Sequence, residues 1–157
     1  MIYFAYGSNM EAARIVKRCP SAKFLFKAKL PDFRLDFTRF STGNQCGVAD
    51  IIRDLSATVW GVVYEIDDKD KTALEKFEGV PVRAYEPCTV EVQPDGDRAR
   101  SIQATTYVVV TKLDPRPKPD AEYKARIVNG AKHWKLPAEY IASLEKIEVA
   151  PIVIPKS

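Results

Sequence analysis

The sequence has one histidine, His133, among its 157 residues. A catalytic triad or a Cys–His pair would have to use this residue, which lies among lysines in GAKHWKLP. A metal centre built from several histidines is excluded. We therefore expect any chemistry in this chain to depend on carboxylates, hydroxyls and backbone groups.

Cysteine is also scarce, with three widely spaced residues, Cys19, Cys46 and Cys88. No Cys-x-x-Cys pair occurs, so the spacing predicts neither a zinc site nor a thioredoxin-type motif. Unpaired cysteines are typical of a reducing compartment, where a thiol serves as a small apolar filler. A nucleophilic role for one of the three is the alternative.

Long apolar runs and a strong net charge are missing too. No run approaches the roughly 20 apolar residues that cross a bilayer, and Gly7-Ser8-Asn9 interrupts the N-terminal segment before a secretory signal can form. The 24 basic and 21 acidic residues are intermixed and give a net charge of +3, unlike the basic stripe of nucleic-acid-binding proteins. We expect a cytoplasmic protein that binds neither membrane nor nucleic acid.

The chain has the length and composition of one globular domain. It is 46% apolar and 29% charged, with no internal repeat and no linker. We therefore expect a single domain over 1–157. Its tail, 148–157, is expected to be loosely held or to pack on the body.

Strand signals dominate the first two-thirds of the chain. The alternating or β-rich stretches are 2–5, 22–30, 33–40, 47–53, 58–66 and a hairpin with strands at 85–93 and 101–110. Gly61 marks a bulge or a close approach. Helical signals occur at 10–17 with Asn9 as the cap, at 67–79, at 122–129 with Gly130 as the stop, and after Pro137. This irregular alternation favours an α+β fold with a closed or strongly curved sheet.

The stretch Tyr6-Gly7-Ser8-Asn9 lies where the first predicted strand meets a helix N-terminus. Several N–H groups there have no partner inside the helix, and Gly7 permits close approach of a ligand. Such a junction favours a carboxylate or a developing oxyanion. A plain capped turn, with Tyr6 in the core, is the alternative.

Glu78 lies at the end of a predicted amphipathic helix, just before Gly79. The helix dipole disfavours a negative charge at this end, and burial beside Phe77 and Val80 would raise the proton affinity of the carboxylate. Both features suit a group that transfers protons. A solvated glutamate at a helix end is the alternative.

Taken in order, these segments resemble the gamma-glutamylcyclotransferase superfamily, which includes the AIG2-like proteins. The matching segments are IYFAYGSNM, VWGVVYEI, LEKFEGV with Tyr85 seven residues beyond Glu78, and EYKARIVNGAKHWKLPAEYI. The likeness extends from Met1 to about Ile147. It implies an α+β fold: a small, closed or strongly curved β-barrel, mixed or antiparallel, with peripheral helices.

The resemblance implies an enzyme that turns the γ-glutamyl group of a small amide into 5-oxoproline and releases an amino acid or amine. The substrate's own α-amine attacks its γ-carbonyl, so no metal or cofactor is expected. Glu78 is implied as the catalytic acid/base. The substrate-binding residues implied are Tyr6, Gly7, Ser8, Asn9, Met10, Tyr85 and Tyr123. For Tyr85 and Tyr123, structural packing is the alternative.

Two other functions stay open. One is a cyclotransferase that prefers γ-glutamylamines, and the other is a non-catalytic small-molecule-binding module of the same fold. The presence of Glu78 favours an enzyme. The family likeness also implies a homodimer, and the apolar tail segment PIVIP would cover an edge strand or a neighbouring subunit.

Overall fold

Five strands form a closed barrel, with four α-helices around it, in a computed structural model that describes residues 1–97 and 99–152. The elements in chain order are β1 (Ile2–Ala5), α1 (Ala12–Arg18), β2 (Lys23–Ser41), β3 (Cys46–Glu65), α2 (Asp68–Phe77), β4 (Tyr85–Pro94), β5 (Ile102–Val109), α3 (Ala121–His133) and α4 (Ala138–Glu145). The predicted α+β fold with a closed sheet is confirmed.

The strand order around the barrel is β1-β3-β2-β4-β5, and β5 returns to β1. The closing pair, with Tyr3 opposite Thr105, is parallel, whereas the other neighbours are antiparallel. The barrel is therefore mixed. Because β1 lies between β3 and β5, the loop that follows β1 opens beside both of them.

Strands β2 and β3 are longer than the sequence pattern predicts, with 19 and 20 residues in place of four shorter strands. The register shifts between Phe24 and Phe26, between Pro31 and Phe33, and further along the same pair. Such bulges bend a strand without ending it. The Pro31-Asp32 break predicted from the sequence is one of these bulges, with Asp32 at a φ of 67°.

Gly61 is a site of close approach, one of the two predicted alternatives. A Cβ at this position would overlap the Ala5 carbonyl oxygen and lie 2.7 Å from the Phe4 ring. The register shifts of the β2–β3 pair lie elsewhere. A side chain here would push β1 away from β3.

The helix predicted to begin after Asn9 begins later, so the predicted Asn9 cap is wrong. Ser8–Met10 form a 3-10 turn, and α1 starts at Ala12 with Glu11 at the N-cap position. The Asn9 side chain is instead bonded to Tyr3 and Glu78 inside the fold. Asn9 does not cap the helix because its side chain is hydrogen-bonded to residues of other elements.

Gly130 is not the predicted helix stop, because α3 continues through it to His133. A Cβ on Gly130 would lie 2.7 Å from the carbonyl carbon of Met10. The glycine therefore lets α3 pack directly on the backbone that follows β1. This contact supports the loop that carries the predicted ligand-binding residues.

Helix α2 follows the prediction closely. The Asp67 side chain accepts the Asp70 N–H at 2.8 Å and caps the start of the helix. The helix ends at Phe77, Glu78 follows, and Gly79 has a φ of 72°. Buried Leu74 holds the helix against the body and so fixes the position of Glu78.

The described part of the C-terminal tail contacts the body just before α3, where Glu148 forms an ion pair with Lys118. The Ala150 N–H donates to the Pro119 carbonyl at 2.8 Å, before α3, whereas Ile152 is exposed. Residues 153–157, which include most of the PIVIP segment, lie outside the described residues. None of the helices in the described part of the chain has the length and apolar character that crossing a membrane requires.

Candidate active site

The loop after β1 is held by its own turn. The Met10 N–H donates to the Gly7 carbonyl at 3.1 Å, and the Glu11 N–H donates to the Ser8 carbonyl at the same distance. Within residues 1–97 and 99–152, the N–H groups of Gly7, Ser8 and Asn9 have no hydrogen-bond acceptor. Ser8 and Asn9 are buried in the protein. These unused donors are available to a ligand.

A cavity, called the inner cavity below, lies against this loop. It brings together six of the eight residues that the resemblance implies, and three residues that sequence reasoning missed. Its walls are formed by Tyr3, Tyr6, Gly7, Ser8, Asn9, Ala49, Glu78, Tyr107 and Tyr123.

A second, more open cavity, called the outer groove below, adjoins the first. The two share Ser8, Glu78 and Tyr123 in their walls. Other residues along the outer groove are Arg14, Arg18, Arg39, Phe77, Val82 and Tyr85. Glu78 therefore lies at the junction of a polar inner cavity and a groove rich in arginine.

The Glu78 carboxylate has one hydrogen-bond partner in the described structure, the Asn9 side chain. Asn9 Nδ2 donates to Glu78 Oε1 at 3.2 Å and to the Tyr3 hydroxyl at 3.0 Å, while Arg18 donates to Asn9 Oδ1 at 3.0 Å. Asn9 is thus held on three sides. This arrangement orients the Glu78 carboxylate and leaves most of its hydrogen-bonding capacity for a ligand.

Burial raises the pKa of the Glu78 carboxyl above its ordinary value. The positive charges of Arg18 and Arg14, the hydrogen bond from Asn9 and the charge of Arg39 act in the opposite direction and limit the rise. The net shift is toward neutrality. A carboxylate with such a pKa is a stronger base than an exposed one and is better suited to proton transfer.

Tyr85 and Tyr123 both bind the backbone of Ala49 on β3. The Tyr85 hydroxyl donates to the Ala49 carbonyl at 2.6 Å, and the Tyr123 hydroxyl accepts the Ala49 N–H at 3.1 Å. Burial raises the pKa of both phenols, so both stay protonated at neutral pH. The bond to Ala49 uses the hydroxyl hydrogen of Tyr85 and leaves that of Tyr123 available. Tyr123 lines both cavities, whereas Tyr85 lines only the outer groove.

Met10, implied as a substrate-binding residue, lines neither cavity. Its side chain is fully buried, and its carbonyl accepts the Trp134 indole N–H at 2.8 Å. Its own N–H is used by Gly7. Met10 therefore supports the loop from behind, and its contact with a ligand stays a prediction.

Three wall residues of the inner cavity, Tyr3, Ala49 and Tyr107, were missed by sequence reasoning. Tyr3 and Tyr107 lie on β1 and β5, which meet where the barrel closes. A tyrosine hydroxyl in an otherwise apolar strand is a usable signal, because a buried hydroxyl needs a partner. Ala49 carries no such signal, since it contributes through its backbone.

The cysteines and the histidine lie away from both cavities. Burial raises the pKa of Cys19 to about 11 and also raises the pKa of Cys46 and of Cys88, so the thiols stay protonated and weakly nucleophilic. His133 is exposed beside Trp134. In the described ranges, no group of three or more His, Cys, Asp or Glu side chains is placed to hold a metal ion.

The comparison with known proteins first identifies the class to which this protein belongs. Residues 58–144 match the model of the AIG2-like family. A solved structure of a gamma-glutamyl cyclotransferase superposes with a TM-score of 0.91 at 33% sequence identity, covering 100% of this chain and 93% of that one. The closed barrel and its peripheral helices are thus the fold of that class.

Proteins of similar sequence identify the family. Gamma-glutamylcyclotransferase of Bos taurus is 38% identical over 154 residues, which cover 94% of this chain and 78% of the relative. Gamma-glutamylcyclotransferase of Homo sapiens is 36% identical over 152 residues, with the same coverage. The chain belongs to the gamma-glutamylcyclotransferase family, a family of enzymes, and the resemblance stated from the sequence is confirmed.

Proposed function

We propose that this protein converts the γ-glutamyl group of a small γ-glutamyl amide into 5-oxoproline and releases an amino acid or amine. The observation that carries the proposal is the position of Glu78. It lies at the junction of two adjoining cavities and is held by Asn9 of the loop that carries unused N–H donors.

The inner cavity suits the γ-glutamyl group. The N–H groups of Gly7, Ser8 and Asn9 have no other acceptor in the described residues, and they would stabilise the oxyanion formed when the γ-carbonyl is attacked. The free hydroxyl hydrogen of Tyr123 adds a donor. A small cavity also favours the folded-back conformation in which the α-amine reaches the carbonyl carbon.

The reaction balances without another reactant. A bond forms between the α-nitrogen and the γ-carbonyl carbon, and the bond from that carbon to the amide nitrogen breaks. The α-nitrogen changes from an ammonium group to a ring N–H and loses two protons. The amide nitrogen leaves as an ammonium group and gains two protons.

Glu78 is the group proposed to move these protons. As a carboxylate it accepts a proton from the α-ammonium group and frees the lone pair for attack. As a carboxylic acid it then donates to the leaving nitrogen on its other side, and a second transfer through the same carboxyl moves the remaining proton from the attacking nitrogen to the leaving one. The raised pKa favours both steps, and the position between two cavities lets one carboxyl reach both nitrogens.

The non-catalytic alternative receives less support. A binding module has no use for a carboxyl whose pKa is raised by burial and which has only one hydrogen-bond partner among the described residues. The named relatives at 36–38% identity are cyclotransferases. A cyclotransferase is therefore the function that the site supports best.

The test is release of 5-oxoproline from a panel of γ-glutamyl amino acids and γ-glutamylamines by the native protein and Glu78→Gln. Turnover by the native protein and its loss in a folded Glu78→Gln variant are expected. Equal turnover by both proteins would remove Glu78 as the catalyst. Binding of 5-oxoproline with no turnover of any substrate would favour the binding module.

We further propose a cytoplasmic location, a single domain over 1–157 and a homodimer. All three cysteines are free, which supports a reducing compartment. The exposed side chains of Val82 and Ile152 offer apolar surface to a second subunit. Sedimentation analysis of the native chain tests the dimer directly, and a monomer across the micromolar range would contradict it.

A further inference from the structure

The outer groove carries three arginines from two separate elements. Arg14 and Arg18 are on α1, and Arg39 is on β2 beside the bulge that follows Phe37. Among the groove's described wall residues, Glu78 is the one carboxylate. The groove is therefore positively charged although it adjoins a catalytic carboxylate.

Two of these arginines, Arg14 and Arg39, differ from the third in their partners. In the part of the chain that the structure describes, neither Arg14 nor Arg39 forms a salt bridge or donates a side-chain hydrogen bond, and Arg14 Nε is buried without a partner. A buried donor without a partner costs stability. Arg18 differs, because it donates to Asn9 and lies 4.9 Å from the centre of the Phe77 ring.

The position of the groove indicates which part of the substrate it receives. Given the proposed function, on which this inference rests, the γ-glutamyl group occupies the inner cavity and Glu78 transfers a proton to the leaving nitrogen. The leaving group then lies beyond Glu78, in the outer groove. An amino acid released there carries a carboxylate one carbon from that nitrogen.

We propose that Arg14 and Arg39 determine specificity by binding the carboxylate of the amino acid that leaves. Guanidinium groups bind carboxylates by charge-assisted hydrogen bonds, and the cost of their missing partners is recovered when substrate binds. The preferred substrates are then γ-glutamyl amino acids. Neutral γ-glutamylamines, the other class left open by the sequence, lack the group that the arginines bind.

The test compares γ-glutamyl-alanine with γ-glutamyl-alaninamide, which have the same shape and differ in the charge of the leaving group. The kcat/KM of each is measured for the native protein, Arg39→Gln, Arg14→Gln and the control Arg34→Gln. Arg34 is on the same strand as Arg39 and lines neither the inner cavity nor the outer groove.

The native protein is expected to prefer the alanine substrate by about 10- to 100-fold. At a pH above the acid limb of the native profile, where Glu78 is ionised, each groove variant is expected to lose about tenfold on this substrate and to change less than about twofold on the amide. The control is expected to keep the native preference. Equal losses on both substrates would mean that the arginines bind the glutamyl part or only support the fold, and would overturn the inference. So would a native protein without preference.

Binding measurements separate this inference from the proposed function. Calorimetry of both compounds with Glu78→Gln, alone and combined with Arg39→Gln, requires no turnover. Stronger binding of the alanine compound that disappears in the double variant would support the arginine site even if the native protein released no 5-oxoproline. Equal binding of the two compounds, or no binding of either, would overturn it.

Discussion

Two carboxylates of this protein, Asp50 and Glu78, lie in sites that are built in opposite ways. Asp50, on β3, has no exposed surface and accepts four hydrogen bonds, from Thr38, Lys112 and the N–H groups of Ile51 and Val109, at 2.6–3.1 Å. Glu78, after α2, accepts one bond, from Asn9, at 3.2 Å.

The difference separates a structural carboxylate from one kept for a ligand. Asp50 uses both oxygens to tie β2, β3 and the end of β5 together, so a ligand has nothing left to bind. Glu78 is held in place through Asn9, and its charge is only partly offset by nearby arginines. Asp50 is fully buried and Glu78 is only partly buried, and the number of donors around each carboxylate differs as well.

The largest expected effect is on catalysis. Glu78→Gln should lower kcat by about 10² to 10⁴-fold, because the amide cannot accept the α-ammonium proton. Circular dichroism and the melting temperature check that the variant folds. Asp68→Asn, an exposed position on α2, is the matched control and should retain native activity. A near-native kcat of Glu78→Gln would contradict the assignment of Glu78 as the carboxylate that transfers protons.

The equivalent substitution at Asp50 tests the structural carboxylate. Asp50→Asn should destabilise the protein by about 3 kcal/mol, because it breaks the ion pair with Lys112 and leaves buried donors poorly matched. Denaturant unfolding measures the change. Asp36→Asn, at the position paired with Asp50 on β2, removes only partly exposed ion pairs and should cost about 1 kcal/mol or less.

A smaller effect should distinguish the two tyrosines that bind Ala49. Tyr123→Phe should lower kcat/KM by about tenfold, since it removes a donor that faces both cavities. Tyr85→Phe should act mainly on stability, because its hydroxyl hydrogen is already used by the Ala49 carbonyl. Steady-state kinetics and unfolding of both variants provide the comparison, and a larger kinetic loss for Tyr85→Phe would reverse the assignment.

The smallest effect is a shift in the pH profile. Glu78 must be ionised to accept a proton, so kcat should fall as the pH falls through its raised pKa. Arg18 lowers that pKa, so Arg18→Gln should raise it further and move the acid limb of the profile to higher pH. Arg18→Lys keeps the charge and should stay closer to the native profile. An acid limb that does not move in Arg18→Gln would exclude Glu78 as the titrating group.

The closed sheet and helix α2 were predicted from the sequence, whereas contacts between side chains of distant elements were not. The cap at Asp67 and the end of α2 before Gly79 depend on neighbouring residues, so Glu78 could be placed at a helix end in advance. Asn9 was mistaken for a cap because its partners Tyr3 and Glu78 come from other elements. The sequence places Met10 in the ligand-binding loop, but which side chains of that loop face the cavity depends on the tertiary structure.

By itself the sequence determined β1, the loop after it and α2, because these follow from local patterns. It also determined that the chemistry uses no histidine cluster, because that follows from composition. Only the tertiary structure decided that Asn9 meets Glu78 across 69 positions of chain. It also decided that Ala49 lies between two tyrosines and that Arg14 and Arg39 line one groove. These contacts arise when β1 pairs with both β3 and β5 to close the barrel, and no local propensity specifies that closure.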